Sequence, residues 1–275
     1  MCFNAVGRVI KTLPEGEPVR GVTSLDDRLY VLRGNKSEEQ IEVYDVVSFS
    51  FLCYITVPGL VNAADIVACE RNRCAYICDS SRKYVHKVPS KGTSTKWPVN
   101  DAPTCLCLTV KHNVLVTCFN VRKIIEFSTD GQSLREVVLS VFSPWHTVQL
   151  SSGELIVCHG KTVDKLHRVC LIGHDGQVVE SYGGHGGSGS QLMKVPAHMA
   201  VGEHDFVFVV DRNNYRVLLL SPTLTYEREV LSRKKLEWKP YRVSVDVKRR
   251  RLYVAVNEQI KAGDYTAGRV IVVSV

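Results

Sequence analysis

The chain alternates short apolar runs with short polar turns, and the runs recur in groups of four. The clearest group opens at Pro196 and continues with the runs 206–210, 217–220 and 226–231. Short runs rich in Val, Leu and aromatic residues, separated by Gly, Asn and Asp, are typical of β-strands. We therefore predict four strands joined by tight turns. One such unit cannot bury both of its faces alone, so further copies are expected.

Similar groups fill the rest of the chain at a spacing of roughly 40 to 45 residues, which suits four-stranded propeller blades. The predicted blades cover about 18–60, 61–102, 103–143, 144–195, 196–239 and 240–275. The sixth group lacks its fourth run, whereas the segment 1–17 contains one run without a group of its own. If that run completes the last blade, the ring has no free edge there. The sequence predicts an all-β fold, a single six-bladed β-propeller of four-stranded antiparallel blades over 1–275, closed by the N-terminal strand.

The fifth group carries a more specific pattern. A Gly-rich segment precedes Pro196, and the turn after the second strand contains Asp211, Asn213 and Arg216. In these features the chain resembles NHL-repeat β-propellers, and in particular the C-terminal propellers of tripartite-motif NHL proteins. The resemblance implies that Asp211 and Arg216 brace the turn through charge-assisted hydrogen bonds. Asp79 is the counterpart of Asp211 in the second group.

Loops that join second to third strands share one face of a propeller with the loops between blades, and we call it the top face. These loops are basic and contain interspersed aromatic residues. The candidate binding residues are Arg82, Lys83, Tyr84, Arg122, Lys123, Arg212, Tyr215 and Arg242. Cations that neutralise phosphates, beside rings that stack on bases, suit single-stranded RNA. The resemblance implies RNA or protein binding on this face, in a larger tripartite-motif-like regulatory or ubiquitin-ligase protein. We expect a non-enzymatic recognition module.

A second candidate site follows from the position two residues after each blade-opening Pro. It holds Arg20, Ala63, Cys105, His146, His198 and Arg242 in blades one to six. First strands line the central channel, so these side chains are expected to converge at its mouth. Cys and His can ligate zinc, and the related propeller peptidyl-hydroxyglycine amidating lyase holds zinc with inner-strand histidines. The alternative function is therefore a zinc-dependent channel-mouth enzyme using Cys105, His146 and His198. The competing interpretation is that the histidines only bond to channel waters and backbone.

Other signals point to structure rather than chemistry. There is no Gly-x-Ser-x-Gly elbow, P-loop or His-Glu-x-x-His motif. The Gly-rich segment precedes a strand and so lacks the helix N-terminus that would bind phosphate. The basic run 248–251 lies between a first and a second strand, on the face opposite the top face, and is predicted to be a tight turn.

Composition modifies this picture only slightly. The 275 residues are 45% hydrophobic and 23% charged, which suits a globular protein, and the net charge of +7 permits an anionic partner. Reduced, buried cysteines are expected in the apolar runs, at Cys53, Cys69, Cys107, Cys118, Cys158 and Cys170. No apolar run approaches the roughly 18 residues of a membrane span, and no secretory signal is evident. We expect a cytoplasmic domain, monomeric in isolation, with no membrane contact and no cofactor.

Overall fold

The computed structural model describes residues 7–34, 39–161, 163, 165–189, 191–261 and 264–275. Their strands form six separate sheets, each of four antiparallel strands. In five of these sheets the four strands follow one another in chain order from the innermost to the outermost. In the last sheet the outermost strand comes from the start of the chain. The chain is therefore a six-bladed β-propeller, and the predicted fold is confirmed.

The strands of the first half follow the predicted apolar runs closely. The chain begins with β1 (Arg8–Thr12). Blade one contains β2 (Val19–Leu25), β3 (Arg28–Gly34), β4 (Glu39–Asp45) and β5 (Phe51–Ile55). Blade two contains β6 (Ala63–Cys69), β7 (Cys74–Asp79), β8 (Tyr84–Pro89) and β9 (Thr95–Pro98). Blade three contains β10 (Cys105–Leu108), β11 (Val114–Cys118), β12 (Lys123–Phe127) and β13 (Ser133–Val138).

The second half repeats the arrangement. Blade four contains β14 (Pro144–Gln149), β15 (Leu155–His159), β16 (Leu166–Ile172) and β17 (Val178–His185). Blade five contains β18 (Pro196–Val201), β19 (Val207–Asp211), β20 (Arg216–Leu220) and β21 (Tyr226–Leu231). Blade six contains β22 (Lys239–Asp246), β23 (Arg251–Lys261) and β24 (Asp264–Ser274), with β1 outermost. The helical elements are two 3₁₀ turns, Glu203–Asp205 and Arg212–Asn214, and the single turn α1 (Arg233–Leu236).

The second strand of each blade is largely buried and mostly apolar because a neighbouring blade covers each of its faces. All six residues of β7 are buried, as are all five of β11, β15 and β19. The hydrophobic core forms six clusters, and each cluster joins residues of two adjacent blades. A continuous ring of blade contacts therefore stabilises the fold, so every blade depends on two neighbours.

Closure between blades six and one rests on more than the pairing of β1 with β24. The Asn257 side chain donates to the Val19 carbonyl and accepts from the Val19 N–H, both at 2.9 Å. Arg33, on β3, donates to the carbonyls of Pro14, Glu17 and Gly268 at 2.8 to 2.9 Å. A side chain at Gly268 would place Cβ 2.5 Å from the Val19 nitrogen, so glycine is required there. These contacts join blade one to blade six and fix the segment between β1 and β2.

The predicted brace in blade five is confirmed. Asp211 accepts a hydrogen bond from Arg216 Nε at 2.8 Å and from the Lys194 N–H at 2.7 Å. The Asn214 side-chain amide also donates to Asp211, at 2.8 Å. In blade two, Asp79 ties the turn to the inter-blade loop in the same way, accepting from the N–H groups of Val61 and Arg82.

Two further sequence expectations can be compared with the structure. The predicted turn after β22 is confirmed, and its basic side chains form ion pairs, Lys248 with Glu70 and Arg249 with Asp246. Cys53 was predicted to be buried but is exposed, because β5 is an outer strand that no blade covers. In the part of the chain that the structure describes, the cysteines are free and no helix has the length and hydropathy of a membrane span.

Candidate functional site

One ring of side chains crosses the central channel. A β-bulge early in the first strand shifts the inward-facing position by one residue in blades one, two, four, five and six. The residues that align in register are Gly21, Asp65, Cys105, His146, His198 and Arg242. We call these six residues the channel ring. The assignments of Arg20 and Ala63 to this position were wrong, since Val19 and Ala63 occupy the place of the opening Pro and so Gly21 and Asp65 lie in the ring.

Asp65 is the centre of the channel ring. Its carboxylate accepts a hydrogen bond from the Leu106 N–H at 3.0 Å and lies 3.3 Å from His198 Nε2 and 3.4 Å from Arg242 Nε. Arg242 extends across the channel from blade six and donates to the Ala64 carbonyl of blade two at 2.8 Å. Gly21, in blade one, contributes no side chain to the space between them. A single buried carboxylate thus joins blades two, three, five and six.

The two histidines are each held at both ring nitrogens. The Met199 N–H donates to His146 Nδ1 at 3.2 Å, and the Val243 N–H donates to His198 Nδ1 at 3.4 Å. Because Nδ1 accepts in both cases, the neutral rings carry their proton on Nε2. His146 then donates to the Leu106 carbonyl at 3.0 Å and His198 to Asp65. The rings stack at a centroid distance of 3.8 Å, so blades three to six are joined through them.

The charge state of the channel ring follows from its burial. Burial raises the pKa of Asp65, but the interactions with His198 and with the Arg242 guanidinium lower it by more, to about 2, so the carboxylate is ionised. Burial lowers the pKa of His146 well below its ordinary value, and burial also lowers the pKa of His198 although Asp65 opposes this. Both histidines are therefore neutral at pH 7. The ring holds one negative and one positive charge, on Asp65 and Arg242.

The channel ring does not suit zinc. Asp65, Cys105 and His198 lie close enough to share an ion, with ligand atoms within 4.8 Å of one another. A metal on His198 Nε2 would move the proton to Nδ1, where it would face the Val243 N–H donor. The same conflict arises at His146 with Met199. Burial also raises the pKa of the Cys105 thiol well above its ordinary value, which opposes thiolate formation. The hydrogen bonds favour structural histidines.

The channel is open on the face opposite the one expected. A cavity of about 560 Å³ reaches His146 and His198 and is lined at its outer end by Ser24, Glu70 and Lys248. Glu70 and Lys248 lie in turns between first and second strands and Ser24 lies near the end of β2, so all three are on the bottom face. The channel ring therefore lies at the inner end of a bottom-facing cavity rather than at a top-face mouth.

The structure separates the predicted top-face residues into two groups. In blades two and three, Lys83 donates to the Asn100 carbonyl at 3.3 Å and Lys96 covers the ring of Tyr84 at 4.7 Å. Lys123 is the first residue of β12 and pairs with Glu136 at 3.1 Å. Arg82 is exposed, and Arg122 stacks on the ring of Phe142 at 4.7 Å. The cations of this group are thus largely engaged within the protein.

The second group lies over blades five and six and is more compact. Arg212 lies 5.4 Å from the ring of Tyr241 and 5.5 Å from that of Tyr265. Arg233 and Lys239 lie 4.4 and 5.6 Å from the ring of Tyr215. We call these six residues the tyrosine–cation cluster. Arg242, predicted to lie on this surface, is only 3% exposed and belongs to the channel ring, because its side chain turns inward to Asp65.

The tyrosine–cation cluster lacks compensating acids. Within the described ranges, Asp211, Glu237 and other carboxylates form ion pairs with other cations. None of these ion pairs includes Arg212, Arg233 or Lys239. Arg212 Nε is buried without a hydrogen-bond partner. Burial, and then the Arg212 and Lys194 cations, lower the pKa of Lys239. The cluster is an electropositive, partly desolvated surface with aromatic walls.

Sequence reasoning missed Asp65, Lys239 and Tyr265. Asp65 could have been found by aligning blade two on Asp79, the counterpart of Asp211, instead of on an opening Pro that blade two lacks. Lys239 directly precedes Pro240 and lies on the first strand of its blade, beside the predicted loop. Tyr265 lies on a long hairpin, and no sequence signal identified its ring as a neighbour of Arg212.

Fold and site together define the class of protein: a six-bladed β-propeller with a channel that opens on the bottom face and an electropositive cluster on its top face. No protein family and no curated protein matches the chain. Solved structures that share the fold include PQQ-bound aldose sugar dehydrogenase from Streptomyces coelicolor, with TM-score 0.68, 13% identity, and coverage of 98% of this chain and 97% of that chain.

Two more solved structures resemble the chain at lower TM-scores. Virginiamycin B lyase from Staphylococcus aureus has TM-score 0.63 and 10% identity, covering 96% of this chain and 99% of that chain. The Cps50 (Swd1) β-propeller domain of Myceliophteria thermophila has TM-score 0.60 and 10% identity, covering 98% and 99%. At such identities the likeness establishes the propeller fold alone.

Proposed function

We propose that this propeller is a non-enzymatic recognition module of NHL type that binds single-stranded RNA on its top face, over blades five and six. The observation that supports the proposal is the tyrosine–cation cluster. Arg212 and Lys239 lie among three tyrosine rings with no acidic partner among the described side chains. A bound phosphate would supply the missing negative charge, and a base could stack on the exposed parts of the rings.

The cluster suits a flexible anionic strand better than a rigid duplex. Its cations come from an inter-blade helix, α1, from a loop after a second strand, and from β22, so they converge from three elements around the rings. Tyr241 and Tyr265 also contact each other, with centroids 5.6 Å apart. Unpaired bases can reach such a recessed aromatic surface, whereas the stacked bases of a duplex cannot. Rigid strands hold these groups in place and so lower the ordering cost of binding.

The test measures binding of a labelled single-stranded RNA of mixed sequence by fluorescence anisotropy at several salt concentrations. Each phosphate neutralised contributes a slope of about −0.7 to log K against log salt. We expect the double substitution Arg212→Gln with Lys239→Gln to weaken binding at low salt by at least tenfold and to make the slope shallower by about 1.4.

The matched control is Lys111→Gln, an exposed lysine in the turn after β10, on the bottom face. This variant should bind RNA as the unmodified chain does. Equal loss in both variants would mean that net charge alone drives binding, and would refute a localised site. Absence of RNA binding combined with salt-insensitive binding of a protein partner to the same face would replace RNA with protein as the ligand.

A further inference from the structure

The outer strand of blade one differs from the other outer strands. The outer strand of every other blade contains at least one charged residue, for example Lys11, Lys96, Arg135, Glu180 and Glu227. Exposed strand edges present unpaired backbone groups, and such charges prevent edge-to-edge pairing. β5 reads Phe-Leu-Cys-Tyr-Ile and has no charge at all. This edge therefore lacks the usual protection against pairing.

The apolar side chains of β5 lie open to solvent. Phe51 and Leu52 are each 47% exposed and Tyr54 is 58% exposed, while Cys53 is also exposed. The register with β4 skips Leu52, so Phe51 and Tyr54 lie on the same face, with ring centroids 4.8 Å apart. Val47, in the adjoining turn, is 67% exposed. Together these residues form a continuous apolar patch along an open edge.

We propose that a second copy of this chain occupies this edge, through antiparallel pairing of β5 with β5 across a two-fold axis at Cys53. The charge pattern favours this occupant. Strands that carry Lys or Glu would place an unpaired charge against the patch, whereas a second β5 is uncharged along its whole length. Centring on Cys53 places Phe51 opposite Ile55 and Leu52 opposite Tyr54, so every apolar residue faces another apolar residue.

The size of the patch sets the strength of the association. A large aromatic side chain buries roughly 150–250 Å², so half-exposed Phe51 and Tyr54 with Leu52 offer roughly 300 Å² on each copy. Stable dimers bury about 800 Å² on each partner. The proposed dimer is therefore weak and depends on concentration.

Cys53 supplies a specific readout of the register. Opposite residues in an antiparallel ladder have Cα atoms about 4.5 or 5.5 Å apart, within the range that a disulfide spans. Copper(II)–phenanthroline would take two electrons from two Cys53 thiols, which lose two protons and form one intermolecular disulfide. The other cysteines of the described ranges are not fully exposed, so they compete little for this reaction.

The experiment compares the unmodified chain with Leu52→Lys, Cys53→Ser and the control Leu134→Lys. Leu134 lies on the outer strand β13 and has the same 47% exposure as Leu52. Sedimentation over a hundredfold concentration range should show mass rising from 30.8 kDa toward twice that value for the unmodified chain, Cys53→Ser and Leu134→Lys. Leu52→Lys should remain monomeric. Copper–phenanthroline should crosslink only the unmodified chain and Leu134→Lys.

The proposal is overturned if the unmodified chain stays monomeric at all concentrations and resists crosslinking. It is equally overturned if Leu52→Lys and Leu134→Lys weaken association to the same extent, since the contact would then not involve β5. Dimerisation that persists while Cys53 fails to crosslink would exclude the two-fold register centred on Cys53.

Discussion

Two arginines contact the ring of Tyr241, and they differ in whether an acidic side chain pairs with them. Arg242 is buried in the channel ring, paired with Asp65 and bonded to the Ala64 carbonyl. Nε lacks a hydrogen bond in both arginines, but Arg212, in the tyrosine–cation cluster, has no ion pair among the described residues, whereas Arg242 pairs with Asp65. Removing one partner of a buried ion pair leaves an uncompensated charge, so the fold depends on the Arg242–Asp65 pair. A cation left without an acid contributes little to stability and is free to bind a ligand.

The largest expected effect comes from removing the acid of the channel ring. Asp65→Ala would leave Arg242 buried without its ion pair, and would also remove the acceptor for His198 and for the Leu106 N–H. Breaking a buried pair in this way costs about 3–5 kcal/mol. We expect a loss of that size in the free energy of unfolding, measured with urea.

The surface substitution Asp130→Ala is the control, since Asp130 is 85% exposed and pairs only with Lys87. Its effect should remain below about 1 kcal/mol. If Asp65→Ala were as mild as Asp130→Ala, the channel ring would not stabilise the fold, and the contrast between the two arginines would fail.

The second effect is a loss of stability in acid. Both channel histidines have lowered pKa values in the folded protein, chiefly because of burial. The unfolded chain therefore binds protons first, and stability is fully present above pH 6.5 and falls as the pH drops below it. In this window each histidine contributes a slope of at most about 1.4 kcal/mol per pH unit. Asp65, with a pKa of about 2, adds a further loss only below about pH 4.

Urea unfolding between pH 7.5 and 5 provides the measurement. Burial also lowers the pKa of His86 and raises that of Glu39 to about 7, so the channel ring's share of the slope is the part that is lost in His146→Gln and His198→Gln. A free energy of unfolding that stays constant across this range would mean that the histidines titrate alike in the folded and unfolded chain. That result would contradict the hydrogen bonds assigned to their Nδ1 atoms.

Tyr241 tests how far the two regions depend on each other, because its ring contacts both arginines. Cation–π contacts contribute about 0.5–1 kcal/mol at partly exposed sites. Tyr241→Leu should therefore reduce stability by about 1 kcal/mol and also weaken RNA binding. Tyr241→Phe keeps the ring and should change neither property. Equal losses in both variants would assign the effect to the hydroxyl group instead.

The fold could be predicted from the sequence more completely than the candidate site. The apolar runs predicted the blades because each strand is long enough to carry its own pattern, and the closing strand followed from a missing fourth run. The channel ring was only partly predicted, because the blade-opening Pro does not stand at the same position in every blade. Val19 and Ala63 occupy in blades one and two the position that Pro196 has in blade five, so Gly21 and Asp65 take the places assigned to Arg20 and Ala63.

The same limit applies to exposure. Cys53 lies in an apolar run like that of Cys158, yet one is exposed and the other buried. The difference comes from the position of the strand within its blade: β5 is outermost, whereas β15 is covered by neighbours on both faces. Local composition does not encode which blade edge remains open, so the patch on β5 became visible only with the fold.

The smallest expected effect is on Arg212 itself, and it decides between a structural and a binding role. Arg212→Leu removes a cation that repels Lys239 and Arg242 and has no acidic partner among the described residues. The free energy of unfolding should stay within about 0.5 kcal/mol of the unmodified value, as for ordinary surface substitutions. RNA affinity should nevertheless fall several-fold, as measured by anisotropy on the same preparation. A loss of stability comparable to that of Asp65→Ala would show that Arg212, like Arg242, is part of the folded core's charge network, and the top-face cluster would lose its claim to be a binding site.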